Sequence, residues 1–374
     1  MRVPSVLSSL PLLVLPLIAQ DPDLESRILE VYKPGRGPVN GPSAPAPVHT
    51  AVGGPALALP RDAGSHLEAT RERWSLRAVL QAPSGQRIPL QVTFQRRRLA
   101  TGTGEETWSR TQVLTAEAAL CLGGGRRILS AERRGRLGLA AEAAEDRLRL
   151  RCDGWSLAES TEGRADLVLS FPEGRVRLSL TLPQAPISLP SLDPRDPLRR
   201  TARTGLEARG QMELQGQVPL DVKGRATLIQ EWGPDLGEDQ PGWDQGLLQL
   251  RDGRTWIYFN LRPTAGHTSS RALVAEVDAQ GRLTKVQREP IISQRKTWQS
   301  SISGVRYPVA LQFQVWNQIL NLDPLAENQE LRAHWSAGSS LWSGACRVRD
   351  GRNDEAGDAF LELTGYAHPM RGRF

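Results

Sequence analysis

Apolar and polar residues alternate with a period of two along most of the chain. "LQVTF" sets Leu90, Val92 and Phe94 on one face, "RLRLRC" does the same with Leu148, Leu150 and Cys152, and "RVRLSLTL" with Val176, Leu178, Leu180 and Leu182. Successive side chains of a strand point to opposite faces, so each run predicts a half-buried antiparallel strand. "LLQLRDGRTWIYFNLR" reads as a hairpin turning at Asp252-Gly253, because glycine tolerates the positive φ of a tight turn. "ALVAEVDAQGRLTKVQ" turns in the same way at Gln280-Gly281, and "RVRDGRNDEAGDAFLELTGY" repeats the form near the end. Helical spacing is scarce, and its best candidate is the short "TAEAALCL" at 115–122. Many short strands at regular spacing predict an all-β chain built as barrels or sandwiches.

Three segments interrupt the alternation. Residues 1–20 carry Arg2, an apolar run from Val6 to Ile18 and Ala19 at a possible cut, which reads as a secretory signal peptide. The run is short for a bilayer span, which takes about twenty apolar residues, and no later segment competes for that role. A periplasmic or secreted mature chain is expected, with an uncleaved inner-membrane anchor facing the periplasm as the alternative, since Leu17 is large for its place before the cut. Residues 21–58 form a lead-in dense in proline and glycine. Residues 182–200 hold five prolines and read as a linker. The 374 residues suffice for two cores, so the expected partition is one β domain at 59–181 and a second at 201–374.

Composition narrows the chemistry. Lys and Arg total 47 against 41 Asp and Glu, but only four are lysines and the positive charges are dispersed. Arg96-Arg97-Arg98 and Arg133-Arg134 are too short, and too poor in interleaved aromatics, for a nucleic-acid surface. Cys121, Cys152 and Cys346 allow at most one intramolecular disulfide; Cys121 with Cys152 is one option and buried free thiols the other. The five histidines are scattered, which argues against a metal site. Neither a GxSxG elbow, a P-loop, a dinucleotide fingerprint nor HExxH occurs, so no cofactor is expected.

In both halves a series of motifs appears in a specific order: "LPRDAGSH" at 59–66, "RERW" at 71–74, "LQVTFQRR" at 90–97, "AEAAL" at 116–120, "RATLIQEWG" at 225–233, "GWDQGLLQL" at 242–250, "IYFNLR" at 257–262, "WQSSISGVRYP" at 298–308, "LWSGA" at 341–345 and "FLELTGY" at 360–366. On these the chain resembles the two-domain lipocalin-like family of carotenoid 1,2-hydratase-like proteins, also labelled predicted secreted hydrolases. The resemblance implies two lipocalin-like antiparallel β-barrels packed together around an apolar cavity, with isoprenoid or polyene-like ligands. Departures from the family pattern concentrate among pocket groups. A Glu-Trp-Trp-Tyr run is here Glu72, Arg73, Trp74 and Ser75; a His gives way to Glu117; a tyrosine pair becomes the Arg200, Thr201, Ala202 region. Thr227 and Ile229 replace a Trp and an Asp, Gln245 a Trp, and Leu341 and Ser343 a Tyr and a Glu.

Hydration of an alkene needs an acid to protonate carbon, a held water, and a site that stabilises the cation. Glu231, Glu72, Glu117 and Asp244 are the candidate acids, with Glu231 first because it stands beside Trp232 in the best-kept motif. Burial in an apolar cavity would raise the pKa of such an acid, whereas an arginine partner would make it structural. Trp74, Trp232, Trp243, Trp342 and His66 are candidate ligand contacts, although large aromatics also fill cores. Glu362 faces opposite to Leu361 and Leu363, toward either cavity or solvent. Two functions follow: a secreted binding protein for a hydrophobic ligand, or a hydratase or isomerase acting on a hydrophobic alkene. Either accommodates a role beside an envelope export system.

Overall fold

The computed structural model describes residues 54–99, 112–124, 127–182, 185–192, 196–234, 242–263, 271–333 and 339–367. The expected signal peptide and most of the lead-in lie outside them. Nearly every regular element is a strand. The first sheet contains β1 (Arg71–Gln81), β2 (Arg87–Arg98), β3 (Gln112–Leu122), β4 (Arg127–Arg136), β5 (Ala141–Ala143), β6 (Arg149–Cys152), β7 (Trp155–Thr161), β8 (Arg164–Phe171), β9 (Gly174–Thr181), β10 (Ile187–Leu189), β11 (Arg199–Leu214) and β12 (Leu220–Gly233). The second contains β13 (Trp243–Leu250), β14 (Thr255–Leu261), β15 (Arg271–Val277), β16 (Leu283–Arg288), β17 (Ile291–Gln299), β18 (Arg306–Val315), β19 (Gln318–Pro324), β20 (Glu330–Ala333), β21 (Ser339–Asp350) and β22 (Glu355–Thr364).

Strand order in the first sheet is β4-β3-β2-β1-β12-β11-β9-β8-β7-β6-β5, with β10 beside β11. The two ends of this order meet at a bridge between Leu137 and Ala141, so the sheet is a nearly closed barrel. The second sheet runs β16-β15-β14-β13-β22-β21-β19-β18-β17, with β20 beside β21, and forms a half-barrel. All strand pairs are antiparallel, as the alternation requires. Among the described residues no helix is long and apolar enough to cross a membrane.

Two elements differ from the sequence reading. "TAEAALCL" lies in β3, where Ala116, Ala118 and Leu120 alternate into the barrel core between β2 and β4; pairing on both sides overrides the helical tendency of alanine. Sheet membership changes after Gly233, not at the proline-rich 182–200 segment. The long β11–β12 hairpin inserts between β1 and β9 and pairs the edges those strands would otherwise expose.

Three apolar clusters result. The barrel interior is filled around Trp74, Phe94 and Trp155, and the half-barrel around Trp256, Phe313 and Trp342. A third cluster, with Ala202, Ile229, Leu247, Ile257 and Phe259, lies in the seam where the outer face of β1, β12 and β11 meets the second sheet. Cys121, Cys152 and Cys346 are free and buried. Burial pushes the Cys121 thiol up to about 12 and Cys152 to about 11, and also raises Cys346. Thiolate is the reactive form, so a thiol reagent such as DTNB should label none of the three in the native chain at neutral pH and all three in guanidinium.

Candidate functional site between the two sheets

Period-two geometry distributes the candidate residues over separate compartments. On β1, Glu72 and Trp74 point into the barrel, while Arg71, Arg73, Ser75 and Arg77 face the seam. On β12, Trp232 points inward and Glu231 outward. On β13, Trp243 faces the seam and Asp244 the half-barrel interior. Neighbours in one motif therefore lie on opposite sides of a sheet.

Inside the barrel, Glu72 is fully buried and accepts hydrogen bonds from Ser65 Oγ at 2.8 Å, the His66 amide at 2.9 Å and Gln230 Nε2 at 2.9 Å. Arg96 lies against the same carboxylate at 3.3 Å. His66 places Nδ1 2.8 Å from Glu72 and Nε2 3.2 Å from Asp62, and its ring stacks on Trp232 with centroids 3.9 Å apart. Arg96 also donates to the His66 and Ala69 carbonyls. The group ties the segment before β1 onto the barrel end, and Trp74 is packed in the core beyond it. In the half-barrel, Asp244 accepts from Asn260 at 3.0 Å, Tyr366 at 3.1 Å and Arg262. Trp342 is fully buried and donates to the Glu327 carbonyl at 2.7 Å.

The seam holds the remaining groups. Arg71, Arg73, Arg200, Glu231, Trp243 and Phe259 line a pocket of about 30 Å³, together with Ser75, Gln245 and several aliphatic side chains. That volume admits a water molecule or two, not the length of a polyene. Glu231 accepts from Arg71 at 2.8 Å and from Arg200 at 2.7 Å. Burial would push its carboxyl up, but Arg200, Arg71 and Arg73 outweigh burial and hold it below the usual carboxylate range. Arg200 also pairs with Asp196 at 2.5 Å. Glu117 lies outside the pocket lining, on β3 in the row that runs through Thr93 to Ser75, and its charge favours the charged forms of Arg73 and Arg77.

Glu362 dominates the seam. The alternation predicts that its face is opposite to Leu361 and Leu363, and that face proves to be the seam. Arg73 donates both 2.7 and 2.8 Å bonds to it, Arg77 a 2.5 Å bond, and Trp243 Nε1 a 3.0 Å bond. Burial would raise this carboxyl, yet Arg73 and Arg77 bring it down to about 2. Of the groups around the pocket, Arg71, Arg73, Arg77, Arg200 and Asp196 are absent from the sequence-predicted set. A signal for two of them lay in the resemblance, which sets Arg73 at an aromatic position and Arg200 in the region of a tyrosine pair.

Removing one partner from a buried, hydrogen-bonded ion pair leaves the other charge uncompensated. Glu362→Ala should therefore lower unfolding free energy by about 3–5 kcal/mol in urea melts. The folded Glu362 carboxyl titrates below its ordinary 4.5, so its stabilisation is present above about pH 4.5 and is lost as pH falls toward about 2. Wild type should lose stability over that window more steeply than Glu362→Gln, read as unfolding free energy against pH.

Comparison with known proteins agrees with this architecture. Residues 50–366 match the family model described as AttH-like. The crystal structure of an AttH protein from Nitrosomonas europaea is 25% identical, superposes with a TM-score of 0.73, and covers 85% of this chain and 99% of its own. Kievitone hydratase from Nectria haematococca shares the fold at 9% identity, with a TM-score of 0.60 and coverage of 85% and 97%. No curated protein matches the chain. On the family match across most of its length, the chain belongs to the AttH-like family.

Proposed function

We propose that the chain is a binding protein that receives the polar end of a hydrophobic, isoprenoid- or polyene-like molecule at the inter-sheet pocket and leaves it chemically unchanged. One observation carries this reading: three of the candidate acids, and Glu362 with them, are paired with arginine. Glu72 has Arg96, Glu231 has Arg71 and Arg200, Asp244 has Arg262, and Glu362 has Arg73 and Arg77. A carboxyl that protonates an alkene must carry a proton near neutral pH, and the guanidiniums beside Glu231 and Glu362 favour its loss there. The pocket keeps the other requirements of a binder, with Leu192, Leu198, Ile229 and Phe259 on its apolar side and Trp243 and Gln245 as polar contacts. Its size supports entry by a hydroxyl or carbonyl end, with the tail outside.

Organic extraction of the purified chain followed by mass spectrometry tests this. An apolar compound of the same structure is expected from wild type and from Glu231→Gln. A hydrated or isomerised product from wild type, with its unsaturated precursor accumulating on Glu231→Gln, would instead establish the hydratase or isomerase. Extracts empty of lipid from both would sink the binding reading.

Export is the second part of the proposal and rests on residues 1–20. Expression with the full leader in a Gram-negative host should deliver the chain to the periplasmic fraction, with its N-terminus near residue 21 by Edman sequencing. Retention of Met1 in the membrane fraction would favour the uncleaved anchor.

A further inference from the structure

The seam opens a second time, at the end of β1, β12 and β11 away from Glu231. Register sets Val79, Arg225 and Glu207 in one row across these strands, and Gln81, Lys223 and Arg209 in the next. The second sheet lines the cleft beside these rows through Gln249, Gly253, Ala279 and Asp358, and the overhang leaves a volume of about 400 Å³. Part of its wall is bare backbone. A bulge between Arg203 and Leu206 holds Gly205 at φ 65°, a conformation in which a side chain would be strained. At Gly224 a Cβ would stand 2.2 Å from the Val79 carbonyl oxygen, so glycine there lets β1 and β12 lie close.

Charge in the cleft is unbalanced. Arg87, Arg209, Lys223 and Arg225 line it against Glu207 and Asp358. Arg87 is engaged by Asp358 at 2.8 Å and by Glu355, and Arg209 by Glu207 at 3.3 Å. Arg225 donates to the Leu250 carbonyl at 2.7 Å and has no ion pair among the described residues. Lys223 is exposed and has neither an ion pair nor a hydrogen bond among them. The two stand on the same face of β12, about 7 Å apart at their Cα atoms by strand geometry. Lys223 stands uncompensated and Arg225 shares its charge with Asp358 and Asp252 without pairing with either, so four cations against two acids leave the concave wall net positive and focus the field there.

We propose that this cleft binds a phosphate-bearing ligand, with Lys223 supplying a mobile point charge and Arg225 a planar donor. A phosphate carries a charge of roughly −1.5 to −2 near neutral pH and accepts from both groups, whereas a lone carboxylate balances only one of them. The site is separate from the inter-sheet pocket. Between them stand the Arg77–Glu362 pair, the Gln91–Ser343 contact and the 3.0 Å bond from Gln249 to Thr227. The phosphate belongs either to a soluble ester or to a phospholipid headgroup, and two arms of one experiment separate these sources.

The first arm is calorimetric titration of the full chain with pyrophosphate at low ionic strength. The second is co-sedimentation with phosphatidylcholine vesicles, with and without phosphatidylglycerol. Lys223→Gln replaces an exposed side chain and should keep the fold, checked by circular dichroism; Arg175→Gln removes an exposed cation on β9 as a control. Saturable pyrophosphate binding that Lys223→Gln weakens about tenfold or more, and Arg175→Gln leaves alone, supports a soluble ester. The same pattern confined to the phosphatidylglycerol vesicles supports a headgroup. Absence of saturable binding in both arms, or equal loss in the two variants, overturns the proposal.

Discussion

The contact between the sheets depends on a single buried carboxylate. Glu362, near the end of the chain, meets Arg73 and Arg77, near the start of its described part, across 289 and 285 residues of sequence. Arg73 and Arg77 lie on one face of β1 at either end of a five-residue span, with Ser75 between them. A carboxylate that bonds both must sit over that span. Displacing β1 by one residue would turn Trp74 and Leu76 toward the seam and both arginines into the barrel. The charges thus fix the register of β1 against β22 more sharply than the apolar side chains of the third cluster, which tolerate small shifts. Gln91 with Ser343, Gln249 with Thr227 and Arg225 with the Leu250 carbonyl repeat the constraint farther along the seam.

That arrangement explains the fate of the positions where the chain departs from its family pattern. Arg73 stands in place of an aromatic residue and binds Glu362. Arg200, in the region of a tyrosine pair, binds Glu231 and Asp196. Ser343 replaces an acid, and its carbonyl accepts a 3.2 Å bond from Gln91 while its hydroxyl donates to the same side chain. Thr227, in place of a tryptophan, accepts from Gln249. At Arg73, Ser343 and Thr227 the side chains bond one sheet to the other. Ser75 and Gln245 line the pocket of about 30 Å³ beside these bonds.

Much of the fold was legible because a strand imposes a simple rule on its sequence. The runs at Leu90–Phe94 and Val176–Leu182 name the inward faces of β2 and β9 correctly, and Asp252-Gly253 turns where glycine permits it, with φ 92°. The helical reading of 115–122 failed because alanine-rich sequence is ambiguous in isolation and β2 and β4 decide it. The proline-rich 182–200 segment carries no change of sheet, because β11 and β12 pair with the first sheet after it. The site was less legible. Alternation separates Glu231 from Trp232 and Trp243 from Asp244, and it gives Glu362 a face without naming what covers it. Arg71 and Arg77 join the seam only through partners more than a hundred residues away, a relation no local pattern contains.

Burial and arginine act in opposite senses on the same groups, and their balance decides what the seam can do. A carboxyl moved from water into an apolar seam becomes a better acid reservoir, holding its proton to higher pH. Placing a guanidinium within 3 Å reverses this, and Glu231 and Glu362 each have two. Every contact that ties the sheets together at these carboxylates also removes the proton that alkene chemistry would require. Adhesion between the sheets and acid catalysis at the seam therefore compete for the same side chains. In this chain the competition is resolved toward adhesion: the carboxylates Glu231 and Glu362 serve as acceptors, Arg73 and Arg77 span the seam, and a small pocket with an apolar side is left at its rim.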